Sequence, residues 1–187
     1  GGDNTILAGA GSDEVTTENG VDTIIGDNGS VYWNTSGVLQ VVVAIDDFYG
    51  AKDIIDAGDG DNVVVGGVGD DELTMGTGND LVLGDAGSVF LTNGIIRHAE
   101  SFSSHAGNDT IALGDGDNVL IAGQGSDDIT SGTGRDIMLA DNGEIDLVYN
   151  VGLGENILTH AESTDATGGD DVVSIDGGNN TILAGAG

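Results

Sequence analysis

Gly66-Gly67-Val68-Gly69-Asp70-Asp71-Glu72-Leu73-Thr74 decides how this chain folds. Glycine fills the first, second and fourth positions, aspartate the sixth and an apolar residue the eighth. Residues 75–83 repeat the arrangement with Gly76, Gly78, Asp80 and Val82. Glycine and aspartate in this order make a turn, and alternation around an apolar eighth residue makes a short strand. A turn and a strand every nine residues point to stacked coils whose faces are buried only by their neighbours.

Outward from this stretch, the same frame covers residues 57–65 without a slip and returns at 8–25, 104–139 and 166–183. Its eighth position is always apolar: Val15, Ile24, Val64, Leu73, Val82, Ile111, Leu120, Ile129, Met138, Val173 and Ile182. A longer period lies above it. Gly2, Gly60, Gly116 and Gly178 open matching text at spacings of 58, 56 and 62 residues. The long repeats are expected at approximately 2–59, 60–115 and 116–177, with a fourth starting at 178–187. GGDNTILAGAG at the start and GGNNTILAGAG at the end share one phase, as in a segment of a tandem array.

Four nonapeptides per long repeat leave irregular inserts at approximately 30–48, 88–104 and 144–165. Each insert is about two units plus a bulge, so the expectation is three coils of about 18 residues per long repeat. The inserts then return to one flank every roughly 14 Å. Segments such as GSVYWNTSGVLQVVVAI read as strand, tight turn, strand. The aromatics Tyr32, Trp33, Phe48, Tyr49, Phe90, Phe102 and Tyr149 cluster in or just after the inserts and are expected to cover that flank or to pack between successive inserts.

Composition narrows the function. With 35 glycines and seven aromatics among 187 residues, the chain lacks the bulk of a conventional core, whereas a thin solenoid needs only rows of small aliphatics. Proline is absent, as an interior coil hydrogen-bonded on both sides requires. There is no cysteine, hence neither disulfide nor thiolate metal site. Thirty-three acids face only Lys52, Arg97 and Arg135, a net charge of −30. Such a chain repels itself and needs cations to fold, about 15 divalent ions for neutrality. Nucleic acid is excluded as a partner by the lack of a basic patch, and no apolar run suggests membrane insertion.

The repeats resemble the RTX, or haemolysin-type, calcium-binding nonapeptide family, and the resemblance covers nearly all of the chain outside the inserts. It implies an all-β fold, a calcium-binding parallel β-roll (β-solenoid) with several Ca2+ ions and a hairpin-like insert every three coils. It also implies a bacterial protein, extracellular or at the cell surface, exported by type I secretion. The function expected is a structural one, a stiff spacer, filament or adhesin stalk whose neighbours are further copies of the same repeat end to end. Alternatives are an ice- or surface-binding β-roll, with Thr77 and Thr133 too far apart for a lattice, and a folding module of a secreted hydrolase or toxin. No catalytic constellation is apparent.

Calcium takes six to eight oxygens from carboxylates and carbonyls, which a GGxGxD turn provides. Candidate ligands are the carboxylates of Asp13, Asp22, Asp27, Asp53, Asp71, Asp80, Asp85, Asp109, Asp127, Asp136, Asp141 and Asp171 and the amides of Asn62 and Asn118. Gly67, Gly69, Gly76, Gly78, Gly123, Gly125, Gly132 and Gly134 are expected to turn their backbone to the ion. Stacked turns are expected to pair Asp53 with Asp71 and onward to Asp85, and Asp109 with Asp127 and onward to Asp141. Opposite them, Asn62 pairs with Asp80 and Asn118 with Asp136, and Asp59, Asp61, Asp115 and Asp117 add charge. Asp46, in an insert, is expected to matter less than Asp71. His98 and Glu100, in one of two HAES motifs, share a strand face and could be half of a zinc or acid–base site. A histidine pinning its insert is the simpler expectation for His98, His105 and His160.

Overall fold

The computed structural model describes residues 1–45, 50–102, 107–164 and 168–186. Asp46, Phe48, Tyr49 and His105 lie outside the described residues, as do the first residues of the units beginning at 104 and 166. The first long repeat forms β1 (Thr5–Leu7), β2 (Glu14–Thr16) and β3 (Thr23–Ile25), then β4 (Gly29–Trp33) and β5 (Leu39–Ala44), and closes on β6 (Ile54–Gly58). The second forms β7 (Val63–Gly67), β8 (Glu72–Met75) and β9 (Leu81–Asp85), then β10 (Gly87–Thr92) and β11 (Ile95–Ser101), and closes on β12 (Thr110–Ala112). The third forms β13 (Val119–Ile121), β14 (Asp128–Gly134) and β15 (Ile137–Leu139), then β16 (Gly143–Asn150) and β17 (Glu155–Ser163), and closes on β18 (Val172–Gly178). β19 (Thr181–Leu183) follows.

The short strands divide between two parallel sheets, β1-β3-β7-β9-β13-β15-β19 and β2-β6-β8-β12-β14-β18. In the first, Thr5 pairs with Thr23, Thr23 with Val63, Val63 with Leu81, Leu81 with Val119, Val119 with Ile137 and Ile137 with Thr181. The steps are 18 residues where no insert intervenes and 38 to 44 where one does. Each long repeat therefore adds two layers to the parallel stack, which corrects the expectation of three coils. The insert does not form a coil of its own; its residues leave the stack as a hairpin.

The three hairpins, β4/β5, β10/β11 and β16/β17, join edge to edge in one antiparallel sheet. Val42 pairs with Val89 and Ala99 with Ile145 across the joins. Two stacked layers and two hairpin strands both advance about 9.6 Å, taking 4.8 Å per strand. That commensurate spacing lets the hairpins tile without a gap.

Three sheets thus make three layers. Val64, Leu73, Val82, Ile111, Leu120, Ile129 and Met138, all eighth-position residues, fill the space between the two parallel sheets. The other face of the β1–β19 sheet presents Ile25, Val65, Leu83, Ile121 and Leu139 to the hairpin sheet, which answers with the register row Val31, Val42, Val89, Ala99, Ile145 and Ala161. The central sheet is consequently buried on both faces. Four of the described aromatics do not pack into this flank. Tyr32, Trp33, Phe90 and Phe102 are among the exposed large side chains, because alternation assigns the inward row to the aliphatics.

Candidate metal centre

Turns joining the central sheet to the outer parallel sheet stack into a column of aspartates. The backbone N–H of Asp13 donates to Asp53 Oδ1 (2.8 Å), that of Asp53 to Asp71 (2.8 Å) and that of Asp71 to Asp109 (2.8 Å). Asp109 N–H then donates to Asp127 (2.8 Å) and Asp127 N–H to Asp171 (3.0 Å). From Asp53 onward each carboxylate so caps the same position in the preceding layer with one oxygen. In five of the six the other oxygen has no such partner: Oδ2 of Asp13, Asp53, Asp71, Asp127 and Asp171 is buried without a hydrogen bond.

Asp53 and Asp71 are neighbours, as are Asp109 and Asp127, but the onward steps differ from expectation. Asp71 is followed by Asp109 rather than Asp85, and Asp127 by Asp171 rather than Asp141. Asp27, Asp85 and Asp141, fully buried, form a separate inner row at the ends of central strands. Asp27 Oδ2 accepts from Val68 N–H (2.7 Å), Asp85 Oδ2 from Gln124 N–H (2.7 Å) and Asp141 Oδ2 from Ala186 N–H (2.5 Å). The inner row faces the column closely enough that Asp85 repels Asp109 and Asp71, and Asp141 repels Asp127 and Asp171.

The second set of turns stacks a mixed column. Asn4 N–H donates to Asp22 Oδ1 (2.7 Å), Asp22 to Asn62 (2.9 Å), Asn62 to Asp80 (2.8 Å), Asp80 to Asn118 (3.0 Å), Asn118 to Asp136 (3.0 Å) and Asp136 to Asn180 (2.7 Å). Amide and carboxylate alternate without exception. Asn4 and Asn180 were missed in the sequence; GGDN and GGNN, parallel to GDGDN, mark them. Asp22 Oδ2 and Asp80 Oδ2 are buried and unbonded, whereas Asp136 Oδ2 accepts from the Ser131 hydroxyl (2.5 Å). Asp59 and Asp115 cap Thr77 and Thr133, each taking both N–H and hydroxyl. The two threonines are two layers apart with Asp115 between them, and their hydroxyls are held by those acids. Asp61 and Asp117 cap Asn79 and Arg135 N–H in the same way.

Glycine makes room for the unbonded oxygens. A Cβ on Gly26 would stand 2.3 Å from Asp53 Oδ2 and 2.4 Å from the Gly66 carbonyl; one on Gly66 would stand 2.7 Å from Asp71 Oδ2 and 2.4 Å from the Gly84 carbonyl. Carboxylate and carbonyl oxygens of adjoining layers thus crowd one space that only glycine leaves open. Gly67 and Gly69 turn the chain there at φ of 121° and 135°. Gly123 and Gly125 repeat that geometry, and Gly78 shares the positive φ. Gly76, Gly132 and Gly134 serve differently: a side chain there would strike Asp59, Asp115 or the Gly116 carbonyl.

Such a column is electrostatically incomplete. Burial, reinforced by like-charged neighbours, pushes the Asp71 carboxyl up to about 8, Asp109 to about 9, Asp127 to about 7 and Asp53 to about 6. Burial likewise raises Asp80 to about 7. Lys52 pairs with Glu72 (3.5 Å) and Arg135 with Glu155 (2.9 Å) and Asp117 (3.3 Å), all on partly exposed side chains away from the buried oxygens. Buried carboxylates without a cationic side chain, set among carbonyls, are an all-oxygen donor set for a hard divalent ion. The residues present therefore fit calcium.

Compared with known families, the chain matches the RTX calcium-binding nonapeptide repeat in four copies, at residues 1–30, 49–82, 56–91 and 104–138. No curated protein and no solved structure matches it. With more than half of its length matched and the buried acidic columns where the nonapeptides stack, the chain belongs to the RTX calcium-binding nonapeptide repeat family, whose repeats bind several calcium ions.

Proposed function

We propose that this chain is a structural segment of a long extracellular protein, a β-roll of about 18 residues per layer that is folded and stiffened by calcium. The observation that carries the reading is the row of buried carboxylate oxygens without hydrogen-bond partners. In the first column Asp13, Asp53, Asp71, Asp109, Asp127 and Asp171 hold ions between layers with the carbonyls of the adjoining glycine turns, and Asp27, Asp85 and Asp141 add charge from the inner row. In the second column Asp22, Asp80 and Asp136 do so with half the charge, since Asn62 and Asn118 alternate with them. Bound calcium supplies the positive charge that lets adjoining layers keep these acids ionised. The second column binds more weakly for that reason.

A stalk or spacer role follows from the layers. Stacked ladders resist bending, and the hairpin sheet braces one flank of the roll across all three long repeats. β1 and β19 are the two edges of one sheet and carry the same Thr-Ile-Leu triplet, so further repeats of this kind would extend the ladder in register. Secretion to a compartment with millimolar calcium, as the family implies, would make folding follow export. Far-ultraviolet circular dichroism during calcium titration tests this. Strand signal should be lost in chelator and return cooperatively with calcium; strand content independent of divalent ions would overturn the proposal.

A further inference from the structure

His98-Ala99-Glu100-Ser101 and His160-Ala161-Glu162-Ser163 are the same four residues on β11 and β17. Alternation turns the alanines to the core and the histidines and glutamates outward. β16 runs between the two strands. Its register sets Glu144 opposite both Glu100 and Glu162, and Asp146 opposite both His98 and His160. Two imidazoles and four carboxylates therefore share one patch, on the face of the hairpin sheet turned away from the core row Ala99, Ile145 and Ala161. Like charges directly opposite across a sheet repel, and the row Glu100, Glu144, Glu162 places three together in a chain of net charge −30.

The imidazoles are aimed. His98 Nδ1 lies 2.7 Å from Asp146 Oδ1, leaving Nε2 facing Glu100 Oε2 at 3.7 Å. His160 Nε2 lies 3.2 Å from Glu144 Oε1 and 3.4 Å from Glu162 Oε2. Donor atoms of His98, Glu100 and Glu144 fall within 4.8 Å of one another, and so do those of Glu144, His160 and Glu162. Two ligands on one tetrahedral zinc, each bonded at about 2.0–2.1 Å, stand about 3.4 Å apart. The three Nε2–carboxylate separations, 3.2, 3.4 and 3.7 Å, bracket that figure, and the two longer ones exceed a direct hydrogen bond.

We propose that the outer face of the hairpin sheet is a divalent transition-metal site of the zinc class, centred on Glu144. Glu144 is the shared ligand, with His98 and Glu100 on one side and His160 and Glu162 on the other. Imidazole nitrogen selects zinc-like ions over calcium, which sets this site apart from the all-oxygen turns. Asp146 is the outer carboxylate that fixes the His98 ring and presents Nε2. The ligands are partly exposed, so an ion enters from solvent without opening the core. The site belongs to the second and third hairpins alone, because β4 and β5 carry Ser30, Tyr32, Val41 and Val43 in the corresponding rows. A bound ion would cross-link adjacent repeats through β11, β16 and β17.

The test is calorimetric titration of the full chain with zinc chloride in saturating calcium, repeated with cobalt(II) for its tetrahedral ligand-field bands. Zinc should bind saturably without displacing calcium, and E144Q and H160A should each weaken it by about tenfold or more, with the H98A/H160A double variant abolishing the cobalt bands. Glu144→Gln is isosteric and relieves repulsion, and dichroism in calcium verifies that each variant keeps its strands. Zinc affinity unchanged in E144Q and in the double variant, or zinc binding fully competed by calcium, would overturn the site.

Discussion

Replacing Asp71 by Asn should change the sign of its effect with calcium. The side chain is 1 % exposed; Oδ1 caps Asp53 N–H at 2.8 Å and Oδ2 is buried without a partner. Asparagine keeps a capping oxygen and removes the charge. Without calcium the carboxyl, pushed from 3.8 to about 8, must be protonated or buried as an anion in the folded state. At pH 7 that costs on the order of 4 kcal/mol relative to the unfolded chain, and Asp71→Asn removes the cost. With calcium the same change deletes a charged ligand between two layers, a loss on the order of 2–4 kcal/mol. Asp56→Asn, on the exposed face of β6, changes net charge equally without touching a column. The assay is paired: folding midpoints in an osmolyte such as trimethylamine N-oxide with chelator, and calcium midpoints by circular dichroism. Asp71→Asn should need less osmolyte and more calcium than wild type, and Asp56→Asn should move neither much. A variant destabilised in both conditions, or with an unchanged calcium midpoint, would refute the reasoning.

The raised carboxyls of Asp53, Asp71, Asp109 and Asp127 mean that the folded apo chain binds more protons than the unfolded one between about pH 4 and the folded values of about 6 to 9. Apo stability should therefore rise as pH falls from 9 to 5, while calcium affinity falls; strand signal in chelator that is flat or declines over this range contradicts it. Gly84→Ala should cost several kcal/mol, since its Cβ would stand 2.4 Å from Asp109 Oδ2 and 2.1 Å from the Ala122 carbonyl, whereas Gly177→Ala, with nothing nearer than 3.9 Å, should be near neutral in calcium-loaded thermal melts. Ile145→Ala, in the buried row joining the hairpin sheet to the roll, should cost about 2–5 kcal/mol in the same melts.

Much of this architecture is legible in the nonapeptide frame. The sixth-position acids predict the columns, and the eighth-position aliphatics predict the core between the parallel sheets. The middle layer is also written there, in the succession of apolar residues within a strand. Units of the central sheet carry apolar residues in succession (VVV at 63–65, LVL at 81–83, IML at 137–139), whereas those of the outer sheet alternate (EVT at 14–16, ELT at 72–74, DIT at 128–130). Only a strand covered on both faces reads as a continuous apolar run. The hairpins are legible in the inserts, but counting the remaining insert residues in units of nine added a third coil per long repeat, because a hairpin and a coil of equal length differ in pairing and not in composition. Asp85 and Asp141 were misassigned to the outer column for the same reason: they precede an insert, and the layer that follows them in space begins after it.

Anomalous diffraction from crystals grown in calcium tests the account most directly. It predicts calcium peaks between successive layers at the turn columns, about 2.3–2.6 Å from the second carboxylate oxygens of Asp53, Asp71 and Asp127. Ordered turns with no calcium at those oxygens, or calcium confined to the exposed acids, would contradict it.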